Sequence, residues 1–483
     1  MQNKNVKFKI IFFLIFFLSG FLVWGNASAD THTVSGDCSA SVVQTAIDAA
    51  SEGDSIDVTC TGTVTWSTAI TLSGGKTLKG GGVKGSSGTD GTWPLTINVT
   101  LSSASAINIV NDNSQAANRL TGFKFQGTGA PEYIIFVEGK GTGVDGKGAF
   151  RIDNNYFNNV SYTTRMIMTD GTTGKLTGLV DQNIFYTPGS SNSNYYNIGY
   201  QNTFMGTSET CMGFGSYSRP VGFGTDDFVF YEDNYLYNSI FETSDGGGRL
   251  VVRHNEFDSN FTSDGQLSAL DGHGADTGGH NCIGIVANEF YNNTVSHGIK
   301  YTQMVYARGG KWRIFNNAID YLSGLTINLM DYRIWNPSVL DWKTCSGDFC
   351  CPVTPPQCDV EHPGADDFEE CYPLLNQIQD TFIWNNLYEG DNIMPSLDEE
   401  PAPTYIALNR DYWMPSYGTE ANRPATCTIN TYYGSTDTNK LWKCTASNTW
   451  TLQYESYTYP HPLRSEESSD TTAPAVPSGL AVS

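Results

Sequence analysis

Acidic, imidazole and guanidinium side chains recur in the middle of the chain at spacings that let them share one surface. Asp245, Arg249, Arg253, His273 and Arg308 form the first group, within DGGGRLVVRHNEF, GHG and YARGGKWRIFNN. Such a set can transfer protons, stabilise developing charge, or hold a sugar or a metal. We read these five as candidate catalytic residues. Glu232, Asp181, Arg313 and Lys311 form a second group, read as candidate substrate-binding residues. Asp226, Asp227, Asp271, Asp276 and His280 fall in neighbouring turns. The plainer reading of both groups is ion pairing on a solvated face, with Gly, Asp and His building turns. No Ser-His-Asp set, P-loop or dinucleotide motif stands out.

A repeated phrase must position these residues. It reads RLVVRHNEFDSN at 249–260 and returns as FRIDNNYF, GLVDQNIF, FVFYEDNYL, CIGIVANEF, KWRIFNNAI and DTFIWNNLY. Each copy turns on an asparagine: Asn155, Asn183, Asn234, Asn255, Asn288, Asn317 and Asn386. Their separations are 28, 51, 21, 33, 29 and 69 residues. The 51-residue step reads as two repeats and the 69-residue step as one repeat carrying an insertion. Alternating apolar residues before each asparagine mark short strands. Asparagine tolerates left-handed backbone, so it can turn the chain, and stacked asparagines can hydrogen-bond as a ladder. One such unit cannot bury its own apolar side, so the units must stack. The fold class expected is all-β, a single-stranded right-handed parallel β-helix with an N-terminal cap helix and a C-terminal cap segment.

Aligning the copies gives a surface map. Positions three and five before each asparagine are apolar and point inward; positions two, four and six before it point out. Two before lie Asp153, Asp181, Glu232, Arg253, Val286 and Phe315; four before lie Arg151, Leu179, Phe230, Val251, Gly284 and Arg313. Arg249 and Lys311 stand six before. The outward face is thus expected to be a shallow groove, carboxylates at one end and arginines at the other.

Composition sets the surroundings. Lys4, Lys7 and Lys9 precede the apolar run 10–23 and the small-residue site Ala27-Ser28-Ala29, so residues 1–29 read as a cleaved signal peptide and the mature chain as exported, with no membrane span. Cleavage leaves 24 basic against 50 acidic residues, a formal charge of −26. That balance argues against nucleic acid as a partner and equally disfavours an anionic polysaccharide, unless calcium or a local basic patch intervenes. Eleven cysteines in an exported chain suggest disulfides, and the odd total leaves one thiol free or paired between molecules. Residues 336–378 crowd cysteine and proline into an insertion, read as a stapled loop, with a zinc cluster as the sharper alternative. Residues 41–51 read as a helix stopped near Gly53, covering the first strand edge. The segment 30–395 then carries the repeats, 396–465 is an aromatic cap segment with a carbohydrate-binding patch as its alternative, and 466–483 is a linker tail.

The succession AIDAASEGDSIDV, ITLSGGKTLKGGG and LTGFKFQG resembles the opening of secreted right-handed parallel β-helix proteins of the pectate-lyase-like superfamily, and the likeness covers most of residues 38–395. The central and C-terminal segments resemble an uncharacterised bacterial branch of these proteins. The resemblance implies an extracellular polysaccharide as partner, calcium held by carboxylates as the one cofactor it admits, and Arg253 as the cation assisting proton abstraction. Asp226-Asp227 and Gly272-His273-Gly274 are fragments of the glycoside hydrolase pattern on this fold, whose N-T-D and R-I-K motifs are missing. The tail resembles the start of a fibronectin type III domain. Two functions stay open: a polysaccharide-binding lyase or glycoside hydrolase, and a non-catalytic adhesin-like surface or matrix protein. A catalyst should show titratable groups in a loop-walled cleft, whereas an adhesin should show a flat, laddered face.

Overall fold

The computed structural model describes residues 29–465, except 103–104, 113, 128–130, 132, 141–148, 159–164, 172–174, 188–197, 202–219, 240, 244–246, 259–266, 273–284, 297–300, 320–325, 331–377 and 399–405. Residues 1–28, most of the Cys-rich insertion and the tail therefore lie outside the described residues, with Asp245, His273, Asp276 and His280.

The chain is all-β, built on three long sheets of 12, 11 and 10 strands. Successive strands visit the sheets in turn. Asn118–Thr121 joins the first sheet, Lys124–Gly127 the second and Tyr133–Gly139 the third; Ala149–Asp153 then returns to the first beside Asn118–Thr121. Pairing within these sheets is parallel, apart from the last pair of the second, an arrangement compatible with a parallel β-helix. The reason is the period-two pattern: Ile152, Val180, Tyr231 and Val252 from the first sheet face Phe157, Phe185, Leu236 and Phe257 from the second in one buried core. The helix Ala40–Ala49 buries Ala40, Val43 and Ile47 against that core. Its Gln44 side chain donates to the Thr71 carbonyl and accepts from the Thr71 N–H, satisfying an edge strand of the third sheet. Disulfides join Cys38 to Cys60 and Cys427 to Cys444, so every cysteine among the described residues is paired.

The corner between the first and second sheets is an asparagine ladder. Each amide nitrogen donates to the amide oxygen of the next rung, at 3.1 Å from Asn155 to Asn183, 3.1 Å to Asn234, 3.0 Å to Asn255, 3.1 Å to Asn293, 3.1 Å to Asn317 and 2.7 Å to Asn386. Three expectations are corrected here. The fifth rung uses Asn293 and not Asn288, because Ala287–Tyr291 pairs in register with Arg249–Arg253 and carries Asn288 into the strand. The 51-residue step from Asn183 to Asn234 is one rung with an insertion, since the two amides bond directly. The left-handed backbone belongs to the residue before each ladder asparagine, at Asn154, Gln182, Asp233, His254, Asn292, Asn316 and Asn385. With those residues making the bend, the asparagines are free to point inward and bridge rungs.

Candidate functional site

The register fix revises the first sheet's outer face. Two before the ladder stand Asp153, Asp181, Glu232, Arg253, Tyr291, Phe315 and Trp384; four before stand Arg151, Leu179, Phe230, Val251, Glu289, Arg313 and Phe382. Val286 and Gly284 leave these columns, and Tyr291 and Glu289 take their places.

The face is covered. A four-stranded sheet of Ser416–Gly418, Tyr432–Ser435, Lys440–Ala446 and Thr449–Glu455 lies over its C-terminal half, where Leu441 and Tyr454 join Phe230, Val251, Tyr291, Phe315 and Trp384 in a second apolar cluster. Residues 456–465 then run along the charged part as a strap. Arg253 donates to Glu232 at 2.8 Å, to the Tyr291 hydroxyl at 2.9 Å, and to the carbonyls of Tyr457 and Thr458 at 2.7 and 2.8 Å. Arg151 forks onto Asp181 at 3.0 and 3.0 Å and reaches the Leu463 carbonyl at 3.2 Å. From the strap, Arg464 meets Asp181 at 3.5 Å, Glu232 at 3.4 Å and Asp233. The Tyr459 hydroxyl donates to Asp233 at 2.8 Å, and its ring stacks on His254 at 3.7 Å.

The structure therefore brings Arg253, Glu232 and Asp181 into one buried ionic array. Arg249, also buried, holds the carbonyls of Pro220 and Val221 at 2.8 and 2.6 Å. Arg313 lies among the rings of Phe223, Phe382 and Tyr454 and pairs with Asp380 at 2.8 Å. Lys311 is half-buried at the same sheet's edge of the column. Arg308 is elsewhere. It directly follows the third-sheet strand Tyr301–Ala307, forks onto Asp271 and sits 4.5 Å over Tyr306.

Burial tunes the array. It raises Glu232, but Arg253, the His461 N–H and Arg464 outweigh it and hold that carboxyl below its usual range. Asp181 is pushed up to about 7 by burial, against Arg151 and with Asp153 adding to the rise. Burial, reinforced by Arg253, lowers His254 to about 3 and His461 to about 4. Both histidines are thus neutral in the fold. Their contribution to stability is complete above the unfolded value of about 6.5 and falls as pH drops toward about 4 and about 3. Asp181 works oppositely, favouring the fold as pH falls below about 7. The imidazoles are the direct readout: by NMR neither should take a proton between about pH 8 and about pH 5. In Arg464→Ala, which removes the strap's contacts with Asp181, Glu232 and Asp233, both should titrate closer to about 6.5. Ordinary titration in the intact protein would contradict the docked strap.

A second surface was missed from the sequence. On the outer face of the second sheet, one column runs Asn98, Gln126, Asn158, Tyr186, Tyr237, Asp258, and its neighbour runs Thr96, Lys124, Tyr156, Ile184, Tyr235, Glu256. Trp93 meets Tyr156 edge-on at 5.1 Å, Tyr156 lies 6.1 Å from Tyr186, and Tyr186 stacks on Tyr237 at 5.1 Å. These four rings are half-buried, so their remaining surface is wet. The hairpin of Val83–Lys84 and Gly91–Thr92 borders the row near Tyr235, anchored by Trp93 donating to the Asn154 carbonyl at 2.8 Å. The available signal was tyrosine one or three residues after a ladder asparagine, on positions that must face out because Phe157, Phe185 and Leu236 face in. A hollow of about 230 Å³ beside Asp57, Lys79 and Pro94 is smaller than the ~300 Å³ at which ligand pockets begin.

Among the described residues no helix is long and apolar enough to cross a membrane, and no three His, Cys, Asp or Glu side chains group as metal ligands. No family model matches the chain, and no curated protein matches it.

Proposed function

We propose that the chain is an exported right-handed parallel β-helix, of the pectate-lyase-like kind its opening resembles, that binds an extracellular polysaccharide along the outer face of its second sheet. On this reading residues 30–395 form the coil, 396–465 the cap segment and 466–483 a linker. The two disulfides fit an oxidising compartment. One observation carries the reading: a column of half-buried carboxamides, Asn98, Gln126 and Asn158, continues in register as the half-buried Tyr186 and Tyr237 along one outer face. Rungs about 4.8 Å apart present the same groups again and again, which suits a polymer of repeating units. Carboxamides and phenols pair with sugar hydroxyls, and aromatic rings cover their apolar faces. The arginine–carboxylate array of the first sheet, buried and paired with the strap, favours the adhesin-like rod over a catalyst.

The test is depletion of the mature protein by insoluble and soluble glycans. Tyr186→Ala with Tyr237→Ala should lower affinity about tenfold or more, while Tyr→Phe at both positions separates ring from hydroxyl. Unchanged retention by the double alanine variant, with circular dichroism intact, would move binding off this face. A cleaving enzyme is the second reading, favoured by the buried Asp271–Arg308 fork beside Tyr306 on the third sheet. It requires new reducing ends or unsaturated product from the same glycans, lost in Arg308→Ala.

A further inference from the structure

We infer that the polymer taken by the second sheet's face carries free amino groups, an amino-sugar glycan and not a uronate; this rests on the binding reading above. The row has a direction. Its aromatic part ends at Tyr237, and the next residue in that column is Asp258, with exposed Glu256 beside it in the neighbouring column. Tyr186 covers one face of the Tyr237 ring, stacked at 5.1 Å and 20°. The opposite face turns toward the rung of Asp258. A tyrosine face next to a carboxylate is the pairing that holds an ammonium group, by ring quadrupole and by charge together.

The same row already does this once with a group of its own. The Lys124 ammonium lies 4.9 Å from the Tyr156 ring centre, one rung from the start of the aromatic part. A primary ammonium is thus accommodated on this face by the protein itself. The Tyr235 hydroxyl donates to Asp258 at 2.7 Å, fixing that carboxylate at the end of the row. Burial raises the Tyr235 hydroxyl, with Asp258 and Glu256 adding to the rise, and burial raises that of Tyr237, with Tyr186 and then Asp258 adding to it. Lys84, on the bordering hairpin, is the opposing charge; it faces Asp233 and Glu256 and is itself lowered by burial.

Long-range charge points the same way. The mature chain carries a formal charge of −26 (24 basic and 50 acidic residues), so a polyuronate meets repulsion over the whole surface and an amino glycan meets attraction. Rungs about 4.8 Å apart lie within one Debye length of about 8 Å, so charges on adjacent sugar units act on the same two carboxylates.

The experiment compares affinities of the mature protein for soluble glucosamine oligomers, their N-acetylated counterparts, neutral β-glucan oligomers and oligogalacturonate. Glucosamine oligomers should bind about tenfold tighter than the acetylated ones at low salt, and the ratio should shrink at about 0.5 M salt. Glu256→Gln with Asp258→Asn should erase the ratio, with circular dichroism unchanged. Equal affinity for all four, preference for oligogalacturonate, or a ratio that survives both carboxamide substitutions would overturn the inference while leaving glycan binding standing. Binding of none of them would overturn the binding reading itself.

Discussion

Replacing Arg253 by alanine should lower the free energy of unfolding by about 3–5 kcal/mol, the cost of leaving one partner of a buried ion pair without the other. Arg253 is fully buried, and its guanidinium satisfies Glu232, the Tyr291 hydroxyl and two strap carbonyls. Its removal strands a buried carboxylate whose remaining partners are the His461 N–H and Arg464. It also opens a void beneath Phe230 and Tyr459, whose rings lie 5.0 and 5.3 Å from the guanidinium carbon. The measurement is the urea midpoint followed by tryptophan fluorescence, with Glu232→Gln and the double variant completing a mutant cycle. A coupling of several kcal/mol identifies the pair as an anchor for the strap. A catalytic Arg253 predicts another pattern: turnover on a glycan falling by orders of magnitude with the midpoint unmoved. That second pattern would sink the structural role.

The repeat was readable because its cause is local. Ile152, Asn155 and Phe157 sit within one corner, and a strand, a left-handed residue and an inward amide follow from neighbours in sequence. The register of the fifth rung was not readable, because two frames fit the same text. Ile285, Asn288 and Phe290 match the phrase, and so do Phe290, Asn293 and Val295; pairing with Arg249–Arg253 chooses the second.

The covering of the first sheet was the larger gap. It depends on contacts between residues far apart in sequence: Arg253 with Tyr457 spans 204 residues, Glu232 with Arg464 spans 232 and Arg151 with Leu463 spans 312. Charged residues in outward columns read as a wet groove when the partner segment is unknown. One clue was present in the later rungs. Phe230, Val251, Phe315 and Phe382 stand in outward positions, and a row of large apolar side chains there calls for a cover. The aromatic cap segment supplies it, through Tyr432, Leu441, Tyr454 and Leu463. The tyrosines of the second sheet lie in the strand after each asparagine, outside the columns that the strand before it defines.

Asn293 offers the sharpest check on this register, because Asn293→Leu should destabilise the protein by about 2–5 kcal/mol, several buried polar groups at about 1–3 kcal/mol each. Its side-chain oxygen accepts from the Asn255 backbone N–H at 3.0 Å and from the Asn255 amide at 3.1 Å, while its nitrogen donates to the Val252 carbonyl at 3.0 Å. Leucine fills the volume and removes these three bonds together with the ladder bond to the Asn317 amide oxygen at 3.1 Å, so the orphaned main-chain N–H lies in a dry core with no water to replace the amide. The loss also interrupts a ladder whose members polarise one another, and two shorter ladders replace one long one. Hydrogen exchange would localise the effect, with amides of the rungs at Asn255 and Asn317 losing protection before those at Asn155. Were Asn288 the ladder member after all, Asn293→Leu would be tolerated at a solvated turn and Asn288→Leu would carry the loss. A near-neutral Asn293→Leu would therefore undo the register on which the face at Arg253, Tyr291 and Phe315 is built.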